Sequence, residues 1–175
     1  MRPLLLLLAI VAVLPSTVAA QHAGHQHTPG TPSDGHLRAQ ACLDEFDAVV
    51  SDGRGFGMAF AADKNGYPGP MHVLELKNQL ALTAEQEARV RAVMHAMFAE
   101  SRPKSARLLE AEKRLHALFA GGGADEAAVR AATAEVERAR TDVRLVHLLA
   151  HLKTRELLTE AQRRAYHEAR WAAGR

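Results

Sequence analysis

The sequence predicts an all-α protein built on a long antiparallel helical hairpin with short flanking helices. Three observations carry this. The 175 residues are rich in the strong helix formers Ala, Leu, Arg and Glu and hold only 5% aromatic residues, too few for an ordinary sandwich or barrel. Apolar residues recur at steps of three and four on both sides of Gly121-Gly122-Gly123, the spacing of a helix face. The punctuation Leu-Thr-x-x-Gln stands at both ends of that region, at Leu82 to Gln86 and Leu158 to Gln162.

At the N-terminus, Arg2 precedes an apolar run from Leu4 to Leu14 and the small residues Thr17, Val18, Ala19 and Ala20. This pattern reads as a secretory signal peptide over residues 1–20, cleaved after Ala19 or Ala20 and delivering the chain to the periplasm. The run falls short of the roughly 20 apolar residues that span a bilayer. Residues 21–40 mix Gly, Pro, Ser and Thr with histidines and show no apolar periodicity, so a disordered His-rich tail is expected. Its His22, His25 and His27 form a chelating pattern for Cu(II), Ni(II) or Zn(II), or simply a spacer.

Residues 41–70 read as a short helix through Leu43, Phe46, Val49 and Val50 followed by a Gly/Pro-rich loop. Gly53, Gly55 and Gly57 stop the helix, and Pro68 and Pro70 close the loop. Residues 52–70 read either as a strap across helix ends or as a partner-binding segment, with the strap preferred. Cys42, the sole cysteine, excludes an intramolecular disulfide and reads as a bystander thiol.

The helical domain is expected over residues 71–172. Val73, Leu76 and Leu80 give a first short helix, and Thr83 with Gln86 three residues on is a capping box. A long helix follows from Ala84 to Ala120, with Val90, Met94, Met97, Leu108, Leu115 and Leu118 on one stripe and a kink expected at Pro103. After the triple glycine, Asp125 opens a helix whose seam reads Val129, Ala132, Val136, Ala139, Val143, Val146 and Ala150, a coiled-coil-type face. The short connection forces the two helices to pack antiparallel. The second Leu-Thr-x-x-Gln opens a last helix to about Trp171.

Net charge is only +2 with both signs interleaved, so no basic face argues for nucleic acid. Ser51, Ser101 and Ser105 lack a nucleophile-elbow context. The glycines of Asp52 to Gly57 are not followed by the Gly-Lys-Ser/Thr of a phosphate loop. No catalytic constellation, and hence no enzyme activity, is expected.

Two LTxxQ motifs (Leu82, Thr83, Gln86; Leu158, Thr159, Gln162) bracketing a helical hairpin behind a signal peptide resemble the Spy/CpxP family. That group includes periplasmic heavy-metal resistance and sensor proteins of the zinc-resistance-associated and cobalt/nickel-sensor types. The resemblance implies a hooked four-helix hairpin, a homodimer, acting as an ATP-independent chaperone or as a metal-binding stress protein. In the sensor branch a His-x-x-x-Met in the third helix binds metal with a histidine pair from the first. His147 and His151 match the third-helix element, with histidine in the methionine place, and His72 falls near the first-helix pair.

The residues themselves point the same way. Pairing about Gly122 sets His147 opposite Met97 and His151 opposite Val93, given equal rise in both helices. Folding the outer segments back at the two LTxxQ turns brings His72 to the same level and His167 near residue 150, so four histidines are expected in one layer. His147 and His151 share a face as an i,i+4 pair, and Glu75 lies one turn from His72. His72, Glu75, His147 and His151, with the thioethers of Met94 and Met97, are therefore the expected donors for Zn, Ni, Co or Cu, with no organic cofactor. His95 and His116 read as surface residues. The expected function is buffering or sensing of a heavy metal, against a metal-independent chaperone that holds unfolded clients, or an adaptor docking on a membrane sensor's periplasmic domain.

Overall fold

The structure is a computed structural model that describes residues 33–172; the expected signal peptide and His22, His25 and His27 lie outside the described residues. Six α-helices run in the order α1 (Asp34–Ser51), α2 (Phe60–Lys64), α3 (Pro70–Glu75), α4 (Ala84–Ala120), α5 (Glu126–Glu156) and α6 (Glu160–His167), and a π-helical turn at Glu168–Ala172 follows. Among the described residues there is no strand, and no helix is long and apolar enough to cross a membrane.

The hairpin forms as its sequence dictates. Thr83 caps α4 by accepting from the Gln86 N–H, and the Gln86 side chain accepts from the Thr83 N–H, a complete capping box. Gly122 takes φ +68°, the left-handed conformation that ends a helix cheaply only for glycine, and Asp125 caps α5. On α5 the seam residues Val136, Val143, Val146 and Ala150 are buried against α4, while Val129, Ala132 and Ala139 are half-buried. Thr159 and Gln162 repeat the capping box at α6.

Three apolar clusters follow one another along the hairpin. Val50, Leu108, Ala111, Val136 and Val143 form the one nearest the glycine tip, and Met97, Val146 and Ala150 the middle one. Val73, Leu80, Val90, Leu158 and Tyr166 form the one at the hooked end. The glutamines of the two capping boxes tie that end together: the Gln86 side chain donates to the Leu157 carbonyl at 2.9 Å, and Gln162 donates to the Leu80 carbonyl at 3.2 Å.

Three local expectations are corrected. Helix α1 begins at Asp34 rather than near residue 41, because Ser33 accepts from the His36 N–H and Asp34 favours the positive helix start. The helix expected through Val73, Leu76 and Leu80 ends at Glu75 and continues as turns, closing with Ala81 at φ +47°. Helix α4 is continuous from Ala84 to Ala120 with the exposed Pro103 inside it. The loop region contains a helix, α2, that no periodicity announced.

Candidate metal site under the glycine-rich strap

Residues 52–70 form a strap that crosses the middle of the hairpin, and its glycines are required where it touches. Gly53 (φ +79°) presents its carbonyl to Ser101 Oγ at 2.7 Å, and a Cβ there would stand 2.7 Å from Arg102 Cγ. A Cβ on Gly55 would stand 3.0 Å from the His147 ring, and one on Gly69 would stand 2.9 Å from His151 Nε2. The strap thus lies flat on two imidazoles and removes them from water: His147 is 5% exposed and His151 7%.

Three histidines border the strap. His147 and His151 sit one turn apart on α5, and His72 comes from α3, its ring 3.6 Å from where a Gly69 Cβ would stand. All three line a cavity of about 280 Å³, together with Met58, Met71 and Met97. Two of the imidazoles are held by Nδ1. His151 Nδ1 lies 2.6 Å from the Tyr67 carbonyl, which can only accept, so Nδ1 carries the proton. His147 lies against the backbone of Gly53 and Gly55, and its buried Nε2 has no hydrogen-bond partner among the described residues. His72 Nδ1 lies 2.9 Å from Glu75 Oε2. Nδ1 bound to a carbonyl or carboxylate, with Nε2 left as a bare acceptor, is the arrangement that orients metal-ligating histidines.

Burial keeps the His147 and His151 rings neutral. Burial, with a smaller contribution from the neighbouring His151, pushes His147 down from 6.5 to about 4, against a weak opposing effect of its backbone hydrogen bond. Burial likewise lowers His151, opposed by the Tyr67 carbonyl and Asp63. Neutral imidazole is the form that binds metal.

Asp63, the only carboxylate lining the cavity, was not anticipated from sequence. It is 5% exposed; Oδ1 accepts from the Tyr166 hydroxyl and Oδ2 from Arg170 Nε at 2.7 Å. These bonds fasten α2 to α6 and the π-helical turn, and the buried carboxylate pushes the Tyr166 phenol strongly upward after burial itself. Nothing in the local run Ala61-Ala62-Asp63-Lys64 distinguishes this aspartate from a surface one.

The expected donor set is brought together in part. His72, His147, His151 and Met97 share the cavity. Glu75 lies outside its lining and grips His72 instead, and the half-buried Met94 does not reach it. His167 lines a separate surface pocket with Arg155, Arg163 and Arg164, so the expected fourth member of the layer is absent. His95 and His116 are exposed. Among the described residues no three His, Cys, Asp or Glu side chains converge as a ready metal-binding group. The donors fit a metal in tautomer and neutrality but not in the number that a tetrahedral or octahedral ion needs.

An all-helical hairpin latched by two LTxxQ turns and carrying strap-covered histidines defines a class of small helical proteins with a histidine site at mid-hairpin. A family model described as heavy-metal resistance matches residues 55–165, from the strap to α6, and the chain belongs to that family. Neither curated proteins nor solved structures yield a match.

Proposed function

We propose that the protein is exported to the periplasm and there binds a heavy-metal ion, buffering or sensing it, without catalysing a reaction. One observation carries the reading. His72 from α3 and His147 and His151 from α5 line one cavity, His72 and His151 anchored through Nδ1 and His147 with a buried, unpartnered Nε2. Membership of the heavy-metal resistance family supports it, and the apolar leader-like run at Leu4–Leu14 supports export.

Calorimetric titration of the full chain with Zn(II), Ni(II), Co(II) and Cu ions tests this. The comparison is between a variant lacking His22, His25 and His27 and the same variant with His147→Ala and His151→Ala. Binding that survives loss of the tail histidines and vanishes with the α5 pair is the expected result. Equal heats in both would sink it.

A second reading has its own observation. Leu145, Leu149 and Leu152 project from one face of α5 and are 50%, 44% and 46% exposed, an unpartnered apolar stripe. In that reading the stripe pairs two copies or holds unfolded clients, as an ATP-independent chaperone would. Leu149→Lys then abolishes suppression of a reduced client's aggregation or dissolves the dimer, and a monomeric protein inert toward the client in both forms counts against it.

A further inference from the structure

We infer that the ion this cavity selects is a soft monovalent one, Cu(I) or Ag(I), held by Nε2 of His147 and of His151 together with the thioether of Met97. The inference rests on the metal-binding reading and narrows it to a class of ion.

The donor inventory argues first. Zn(II), Ni(II) and Co(II) take four to six nitrogen, oxygen or thiolate ligands in most protein sites. Here each oxygen of Asp63, the one carboxylate in the lining, already accepts a hydrogen bond, from Tyr166 and from Arg170. What remains is imidazole nitrogen and the sulfur of Met58, Met71 and Met97. Thioethers are soft ligands that favour Cu(I) and its congener over hard or borderline divalent ions, and two or three such donors complete the shell of a soft monovalent ion.

Charge argues next. The cost of taking an ion out of water grows with the square of its charge, and only opposite charge or dense polar contact offsets it. Phe60 and Phe98 contribute apolar wall, and Arg54 and Arg170 bring positive charge to the same lining. With Asp63 already paired to Arg170, no spare negative charge offsets a divalent ion.

Position argues last. Met97 is 8% exposed and packs against Val146 and Ala150, the residues that immediately precede the two histidines on α5. It lines the same cavity as both rings.

The test uses the full chain with His22, His25 and His27 replaced by alanine, so that these three histidines do not contribute to binding. Ag(I) and, under reducing conditions with a colorimetric Cu(I) chelator as competitor, Cu(I) are titrated alongside Zn(II) and Ni(II). One equivalent of Ag(I) or Cu(I), bound in preference to the divalent ions and lost in His147→Gln/His151→Gln, is expected. X-ray absorption of the Cu(I) form should show a sulfur scatterer that Met97→Leu removes. Met97→Leu, a volume-conserving change that spares the fold, should weaken Ag(I) binding by at least about tenfold. Unchanged Ag(I) affinity in Met97→Leu, or tighter binding of Zn(II) or Ni(II) than of Ag(I), overturns the inference while leaving a metal protein. No binding of any ion at the histidines overturns the metal-binding reading itself.

Discussion

Gln86 and Gln162 exchange hydrogen bonds in both directions: each side-chain nitrogen donates to the other's oxygen, at 2.9 and 3.0 Å. Each oxygen also accepts from the N–H of its own capping threonine, and each nitrogen spends its second hydrogen on a carbonyl beside the opposite motif. Every hydrogen of both amides is thereby used, and the two turns form one latch with near two-fold internal symmetry. A single LTxxQ makes a cap; the pair makes a tertiary contact.

Replacing Gln86 by alanine should therefore cost more than a cap alone. It strips partners from the exposed Thr83 N–H and from the half-buried Leu157 carbonyl and Gln162 amide, and about 2–3 kcal/mol is expected. Urea denaturation of Gln86→Ala, Gln162→Ala and the double variant should reveal a coupling on the order of 1 kcal/mol. Strict additivity would show that the two amides act independently.

The metal-free protein should lose stability on acidification. His147 is held near 4 in the fold, below the 6.5 of the unfolded chain, so the unfolded state takes up the proton first. The contribution of neutral His147 is complete above about pH 6.5 and is lost progressively as pH falls toward 4, on the order of 3 kcal/mol in all. His151 adds to it in the same direction, while His72, Asp63, Arg54 and Arg170 share the cavity. Thermal melts between pH 7.5 and 4 should show a slope that His147→Gln flattens; an unaltered slope would place the acid sensitivity elsewhere.

Gly69→Ala should separate the site from the fold. The glycine's φ of −77° is one that alanine adopts readily, yet its methyl group would stand 2.9 Å from His151 Nε2, the atom proposed to bind metal. Metal affinity should fall by about tenfold or more, with circular dichroism unchanged. An alanine variant that binds as well as the parent would mean that His151 Nε2 is not a ligand.

Tyr166→Phe should leave Asp63 buried with one donor fewer. Loss of a hydrogen bond to a charged group costs about 1.5–3 kcal/mol, and Asp63→Asn in the same background should recover part of it by removing the charge. Denaturant midpoints of the parent and the two variants decide; a neutral Tyr166→Phe would show that Arg170 alone satisfies the carboxylate.

How much of this was legible depended on whether the signal was local. Thr83–Gln86 and Thr159–Gln162 announce themselves within four residues, and the triple glycine fixes the register of everything on either side, so the common depth of His147, His151, His72 and Met97 followed from the chain alone. His167 failed because depth is not direction. It follows the fully buried Tyr166, and one residue turns a helix face by about 100°, enough to send His167 into a different pocket. The helix over residues 34–40 was hidden by the Gly and Pro residues just before it. The strap's glycines were visible, but their reason was not: Gly55 and Gly69 are defined by the imidazoles above them, about 90 and 80 residues away. Asp63 finds Tyr166 and Arg170 at separations of 103 and 107 residues, which no spacing rule encodes.

The latch also decides how anything gets in. With α4 and α5 joined covalently through the glycine tip and bolted by Gln86 and Gln162 at the other end, the hairpin is in effect a closed ring whose long sides cannot splay. Residues 52–70 cover the histidines, pinned by Gly53 to Ser101, by Tyr67 to His151 and by the Asp63 bonds to Tyr166 and Arg170. Exchange of whatever the cavity holds should then quicken when those pins are loosened, independently of how tightly the cavity holds it.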